Sequence, residues 1–268
     1  RTEVTVEESY GFSRFGRVGP LALLSLDKPG FGSEPWTSDG TLAGTRLLRN
    51  IAAGSYASDF ESLGAVGPLA LFAAHSPGHG RELWVTDGTL SGTTLLREFV
   101  PGPEGVEIHP LGTVAGEQLF TVRRQPLSIE IWRSDATLEG TVIVRKIQTE
   151  QYEPYSAWRE GVEFDGLLFF LGTDASAGDE PWQTDGTDGG TYRLADLRPG
   201  SAGSNPGNFV ASGDLLAFSA APASQRVETW LVDAGSSTPR RLALPAATNW
   251  DFPLGFASGE HRSSDTPS

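Results

Sequence analysis

The sequence predicts an all-β fold, a five-bladed propeller of four-stranded antiparallel blades, and three observations carry that expectation. Tryptophans at 36, 84, 132, 182 and 230 recur at steps of 48, 48, 50 and 48 residues. A fixed period of this length marks an array of one supersecondary unit. Each of the first four tryptophans is followed by Asp-Gly-Thr or Asp-Ala-Thr and then by Gly-Thr, and Asp-Gly between alternating strands is a strong hairpin signal. Finally, no segment sustains apolar residues at helical spacing over three turns, because Gly or Pro interrupts almost every window.

The second copy shows the unit most clearly. Residues 60–66 read as a first strand and Gly67-Pro68 as a turn. Residues 69–74 are almost wholly apolar, as a strand buried on both faces should be. A loop follows over 75–80, then a strand over 81–86, the Asp87-Gly88-Thr89 hairpin, and a fourth strand over 93–100. Polar links near 52–59, 101–109, 148–159 and 199–207 would carry the chain from the outer strand of one blade to the inner strand of the next. In the first copy, 12–18 and 20–26 read as strands around Gly19-Pro20. Residues 1–10 alternate as a short edge or ring-closing strand, and 250–258 resemble a sixth first strand. The spare strand would close the ring by pairing with the other end, or the chain is cut from a longer array. Residues 1–258 thus form one propeller domain, and 259–268 form a polar tail or linker.

Composition narrows the function classes. Of 268 residues, 33 are Gly and 18 Pro while 38% are hydrophobic, a profile of short strands and tight turns. A formal net charge of −14 argues against nucleic acid or an anionic membrane as the main partner. There is no cysteine, hence no disulfide framework, thiolate metal site or cysteine nucleophile. No apolar run approaches the roughly 18–20 residues of a membrane helix. The chain starts at Arg1 and has no methionine, which reads as a processed or trimmed product.

The full repeat, Glu82-Leu83-Trp84, Thr86-Asp87-Gly88-Thr89 and Gly92-Thr93, resembles the ELWxTDGTxxGT repeats of secreted and surface proteins of myxobacteria and related bacteria. Copies one and four carry Pro35 and Pro181 in place of Leu, copy three carries Ala136 in place of Gly, and copy five keeps only Glu228, Trp230 and Asp233. The resemblance implies a propeller-like repeat fold and a secreted, periplasmic or cell-surface location. It implies no reaction.

The repeated residues have physical roles to fill. Trp36, Trp84, Trp132, Trp182 and Trp230 are expected to plug the core between blades. Asp39, Asp87, Asp135, Asp185 and Asp233 should bond amides within their own turns. Ala136, where Gly would supply a positive φ, predicts a strained or altered turn. Centring each hairpin between the fifth and sixth residues after the Trp sets Trp84 opposite Leu95 and Thr86 opposite Thr93. It also sets Glu82 opposite Arg97, Glu34 opposite Arg49 and Glu130 opposite Arg145, while Glu180 meets Ala195. Such cross-strand pairs contribute about 0.2–1 kcal/mol each.

Candidate chemistry is sparse. His75 and His79 flank a Pro-Gly loop that cannot present them on a helix face, and a metal would need further ligands. Asp174 and Asp179, with carbonyls of 173–178, are weak calcium candidates, as is the turn holding Asp185 and Asp188. Neither matches the helix-loop-helix calcium signature, and otherwise no cofactor is indicated. No Gly-x-Ser-x-Gly elbow and no distinctive carboxylate pair is present. Tyr152, Tyr155, Trp158, Trp250 and Phe252 fall outside the repeat, and such aromatics either stack on sugars, anchor a protein partner or cover the core. The expected function is a noncatalytic extracytoplasmic binding or scaffold module engaging a protein or surface polymer, within an assembly or alone. A lectin with pockets recurring between blades is the alternative, and a hydrolase at the central channel comes third.

Overall fold

The computed structural model describes residues 15–243 except 29, 55, 126, 150–160 and 224–225. They form five four-stranded antiparallel sheets, each running in chain order from inner to outer strand. Blade one holds β1 (Gly16–Val18), β2 (Leu21–Lys28), β3 (Gly32–Ser38) and β4 (Arg46–Leu47). Blade two holds β5 (Glu61–Val66), β6 (Leu69–Ser76), β7 (Gly80–Thr86) and β8 (Thr94–Arg97). Blade three holds β9 (Glu107–Val114), β10 (Glu117–Gln125), β11 (Ser128–Ser134) and β12 (Val142–Gln148). Blade four holds β13 (Val162–Phe164), β14 (Leu167–Asp174), β15 (Gly178–Thr184) and β16 (Tyr192–Arg193). Blade five holds β17 (Gly207–Ser212), β18 (Leu215–Ala223), β19 (Arg226–Asp233) and β20 (Arg240–Arg241). The first strands of successive sheets lie side by side, so the blades fan out from one side as in a β-propeller.

The core lies between blades. Trp84 packs with Val18, Leu23, Leu48 and Ile51 of blade one and its own Phe72. Trp132 packs with Leu71, Leu83 and Phe99 of blade two. Trp182 packs with Leu111, Ile131 and Ile147 of blade three. Trp230, less buried, lies against the cluster of Phe164, Phe169 and Leu194 in blade four. Each tryptophan therefore faces the preceding blade. Trp36, which has no preceding blade among the described residues, is only partly buried.

The hairpin motif is satisfied residue by residue. In blade two the Asp87 carboxylate accepts from Thr89 N at 2.8 Å and Thr89 Oγ1 at 2.7 Å. Gly92 N donates to Thr89 Oγ1 at 3.0 Å, and Thr86 and Thr93 share a hydroxyl bond of 2.8 Å across the strands. Asp39, Asp135 and Asp185 repeat the pattern with Thr41, Thr137 and Thr187. Asp233 departs from it: its carboxylate takes Arg240 at 2.8 and 2.9 Å, within the worn fifth hairpin. Ala136 keeps the turn unaltered by adopting φ 69° itself, so the strain is borne by that residue.

Register follows the tryptophan pairing but not the glutamate pairing. Trp36, Trp84, Trp132, Trp182 and Trp230 oppose Leu47, Leu95, Ile143, Arg193 and Arg241. The expected Glu82–Arg97 rung is wrong. A bulge between Leu83 and Trp84 moves Arg97 opposite Leu83. The same displacement sets Arg145 opposite Ile131 and Lys146 opposite Glu130. In blade one the ladder ends at Leu47, before Arg49. A bulge adds one residue to one strand only, which no symmetric count about the hairpin anticipates.

The strand readings at 1–10 and 250–258, their pairing, the tail at 259–268, and the aromatics Tyr152, Tyr155, Trp158, Trp250 and Phe252 lie outside the described residues. Among the described residues, no helix is long and apolar enough to cross a membrane.

Candidate functional site at the third blade

The repeated glutamate acts as a clamp rather than a rung. Glu34 accepts from Ile51 N at 3.0 Å and Ala52 N at 2.8 Å. Glu82 accepts from Phe99 N at 2.8 Å and Val100 N at 3.1 Å. Glu180 accepts from Leu197 N at 3.1 Å, Arg198 N at 3.0 Å and Ser204 Oγ at 2.6 Å. In each case a fully buried carboxylate gathers two consecutive amides of the crossing to the next blade. Burial raises the pKa of all three carboxyls above the usual glutamate value, and the amide bonds oppose that rise without cancelling it.

Blade three breaks this rule. The amides seventeen and eighteen residues after Glu130 belong to Ile147 and Gln148, which are still in β12 and paired with Ile129 and Ser128. β12 runs for seven residues, whereas β4, β16 and β20 have two and β8 has four. With no crossing amides to gather, Glu130 turns to Arg124 of β10, with Nε at 3.0 Å and Nη2 at 2.6 Å. Its Oε2 also accepts from Trp132 Nε1 at 3.0 Å. The Glu130 side chain is 6% exposed and that of Arg124 is 37% exposed, so the pair runs from the core to the surface.

A cavity of about 360 Å³ opens there, lined by Phe99, Val100, Pro101, Arg124, Glu130 and Lys146. Its apolar wall is the crossing that Glu82 clamps. Its polar wall is the Arg124–Glu130 pair, with the exposed Lys146 at the rim. Apolar surface beside a few fixed polar groups is the usual make-up of a binding cleft. The sequence reading missed Arg124 and Lys146. The 50-residue step from Trp132 to Trp182, two longer than the other steps, was the available signal that this part of the chain departs from the repeat.

Blade five carries a related arrangement. Glu228 sits between Arg226 Nε at 3.4 Å and Arg241 Nη1 at 3.3 Å. A cavity of about 480 Å³ is lined there by Arg226, Val227, Glu228, Thr229, Arg241, Leu242 and Ala243.

The arginines expected as rungs reach across the seams. Arg49 Nη1 donates to Thr93 O at 2.8 Å, Arg97 Nη1 to Thr141 O at 3.1 Å, and Arg145 Nη1 to Asp188 O at 3.1 Å. The Arg97 guanidinium also stands 4.9 Å from the Trp132 ring centroid.

The weak calcium candidates are engaged within the protein. Asp174 accepts from Ser176 N, Ala177 N and Arg193 Nη1, Asp179 from Thr173 Oγ1, and Asp188 from Arg145. Among the described residues no group of three or more His, Asp or Glu is gathered for a metal. His79 pairs with Glu98 at 3.0 Å, while the His75 amide donates to Ser58 O. Glu61 of β5 meets Arg81 of β7 at 2.7 Å and His109 of β9 at 3.2 Å, a cluster that the sequence reading left unassembled.

Five four-stranded blades with tryptophan-filled seams define a β-propeller. No protein-family model and no curated protein sequence matches the chain. Among solved structures, a puromycin hydrolase is similar to it with 15% identity and a TM-score of 0.50, over 85% of this chain and 38% of that one. TolB from Acinetobacter baumannii is similar with 12% identity and a TM-score of 0.43, over 82% and 50%. An alpha-L-arabinofuranosidase from Clostridium thermocellum is similar with 12% identity and a TM-score of 0.35, over 85% and 91%. The chain thus spans half or less of the length of the first two.

The likeness to the puromycin hydrolase corrects the expectation that the chain is no enzyme. A solved structure sharing the fold is a hydrolase. The expectation rested on missing local motifs. Sites grafted on a fold can be assembled from loops that meet only in space, and these leave no local motif.

Proposed function

We propose that the chain is an extracytoplasmic binding propeller that engages a protein or a surface polymer through the end of blade three where the crossings run. One observation carries this reading. At Glu130 a residue that clamps the scaffold in blades one, two and four is taken over by Arg124, and a cleft with Lys146 at its rim lies beside the pair. A residue that plays the same part in several blades serves the shared fold, whereas a blade that departs from it is free to serve recognition. The resemblance to secreted ELWxTDGT repeats supports the location.

A glycan array and a pull-down from the native surroundings, run with the wild-type chain and with Lys146→Glu, test the reading. A partner captured by the wild type and lost in the variant is the expected result. Capture that is indifferent to Lys146→Glu overturns the placement of the site.

The carbohydrate reading is favoured by one further feature. The blade-five cleft repeats a glutamate held by arginine beside apolar side chains, so two related clefts recur on one ring. Glycan binding lost stepwise in Lys146→Glu and Arg241→Ala would select it over a protein partner.

A further inference from the structure

Each seam joins two unlike faces. One blade brings its tryptophan, and the blade before it brings aliphatic side chains at fixed places in the repeat. Leu48, Leu96, Val144 and Leu194, each twelve residues past its own tryptophan, lie in one cluster with Trp84, Trp132, Trp182 and Trp230 of the following blade. Leu242 holds that place in blade five and is 37% exposed. Leu215 stands where Leu21, Leu69 and Leu167 pack into their seams, and it is exposed too. Leu231 shares this face two residues past Thr229, whose carbonyl accepts from the Leu242 amide. Among the described residues no blade follows blade five, so its leading face keeps the aliphatic residues of a seam without a tryptophan to cover.

Blade one shows the complementary half. Trp36 has no preceding blade among the described residues and is only half-buried. Leu24 beside it is half-buried as well, although Phe72, Phe120, Phe170 and Phe218 at the same place in the other blades are at most 1% exposed. The cations match in the same way. The preceding blade sets Arg49 at 6.0 Å from the Trp84 ring centroid and Arg97 at 4.9 Å from that of Trp132. Trp36 instead carries Lys28 of its own blade at 5.6 Å. Blade five has Ala243 at the place of those arginines, so a seam between blades five and one brings one cation to the ring and not two. Two blade-five faces meeting would bring no tryptophan and leave the seam underfilled, against the close packing of protein interiors.

We propose that blade five of one chain packs against blade one of a second copy, head to tail, with Trp36 covering Leu215, Leu231 and Leu242. The contact continues the seam that already joins blades one to five. Its two faces differ, so it is heterologous, and copies joined this way close into a ring or run on as a filament. It stands apart from the cleft of blade three, and its failure leaves that reading untouched.

Crosslinking between singly placed thiols is the test. The chain has no cysteine, and Lys28→Cys and Leu242→Cys both fall at exposed positions that the fold does not need. The two full-length variants are mixed and treated with a short bismaleimide. The expected product is a dimer holding one of each, formed at least tenfold faster than either variant joins to itself. In sedimentation velocity the wild-type chain should associate as its concentration rises, and Leu242→Arg should weaken that association at least tenfold. Self-joining of Leu242→Cys at the rate of the mixed pair overturns the head-to-tail arrangement. A single monomeric species at every concentration overturns the second copy as occupant. So does a Leu242→Cys thiol shielded from maleimide in dilute solution, which places another segment of the same chain on the face.

Discussion

Arg97 of blade two donates from Nη1 to the carbonyl oxygen of Thr141 in the hairpin of blade three, at 3.1 Å. The same guanidinium lies over the Trp132 ring, so one side chain ties a turn and a core plug of the next blade to its own sheet. Arg97→Ala should cost about 2–4 kcal/mol, the sum of a charge-assisted hydrogen bond and a cation–π contact. Arg145→Ala should cost under about 1 kcal/mol, because its Asp188 partner is largely exposed. Urea denaturation of both variants checks the order.

The second glycine of the motif answers to the aspartate rather than to backbone conformation. A Cβ at Gly92 would stand 2.0 Å from Asp87 Oδ1, and Gly44, Gly140 and Gly190 are equally close to Asp39, Asp135 and Asp185. Gly92→Ala should therefore cost about 1–3 kcal/mol by displacing the carboxylate from Thr89. In Asp87→Ala the same glycine substitution should cost less than half as much. A double-mutant cycle with a coupling energy near zero would refute this dependence.

The first glycine is a conformational requirement. Gly88 sits at φ 90°, and a Cβ there meets Val18 Cγ1 at 3.2 Å, so Gly88→Ala should cost about 1–2 kcal/mol. Ala136 already bears the strain at the equivalent place but buries its methyl in the seam between blades two and three. Relief of about 1 kcal/mol of backbone strain opposes the loss of about 0.8 kcal/mol of methyl burial in Ala136→Gly. Thermal melts should place that variant within about 0.5 kcal/mol of the wild type.

Removing a clamp exposes its importance. Glu82→Ala leaves the Phe99 and Val100 amides without their acceptor, at about 1–3 kcal/mol each. The pH dependence has a definite sign. Burial holds Glu34, Glu82 and Glu180 above the usual value of 4.5, so the folded state keeps protons that the unfolded chain has released. Their contribution to stability is greatest below that value and falls as pH rises through the raised folded values. The hairpin carboxylates of Asp39, Asp87, Asp135 and Asp185 have the opposite sign. Thr41, Thr89, Thr137 and Thr187 hold them below 3.8, and their contribution is lost on further acidification. Melting temperature against pH should accordingly flatten above pH 4.5 in Glu82→Gln and flatten below pH 3.8 in Asp87→Asn. A Glu82→Gln profile parallel to the wild type counts against the assignment.

Much of the scaffold was legible because its determinants are local. Asp87, Thr89 and Gly92 act within one hairpin, and their spacing from Trp84 reports that hairpin directly. The glutamate was read as a rung because a symmetric hairpin pairs Glu82 with Arg97, and the bulge at Leu83 breaks that symmetry. Arg124 was invisible as a site residue. Its partner is Glu130, but that pairing exists only because β12 keeps the amides that would otherwise have claimed the carboxylate.

By itself the sequence determined the number of blades, the position of the hairpin after each tryptophan and the tryptophan register, since a repeated short-range pattern needs no distant contact to be read. Tertiary structure alone decided where Glu82, Arg97, Glu130 and Arg124 find their partners. A buried carboxylate or guanidinium must be satisfied by whatever donors or acceptors the neighbouring blade and crossing present. Those groups come together only when consecutive blades pack, so the cleft of blade three became visible with the fold and not before it.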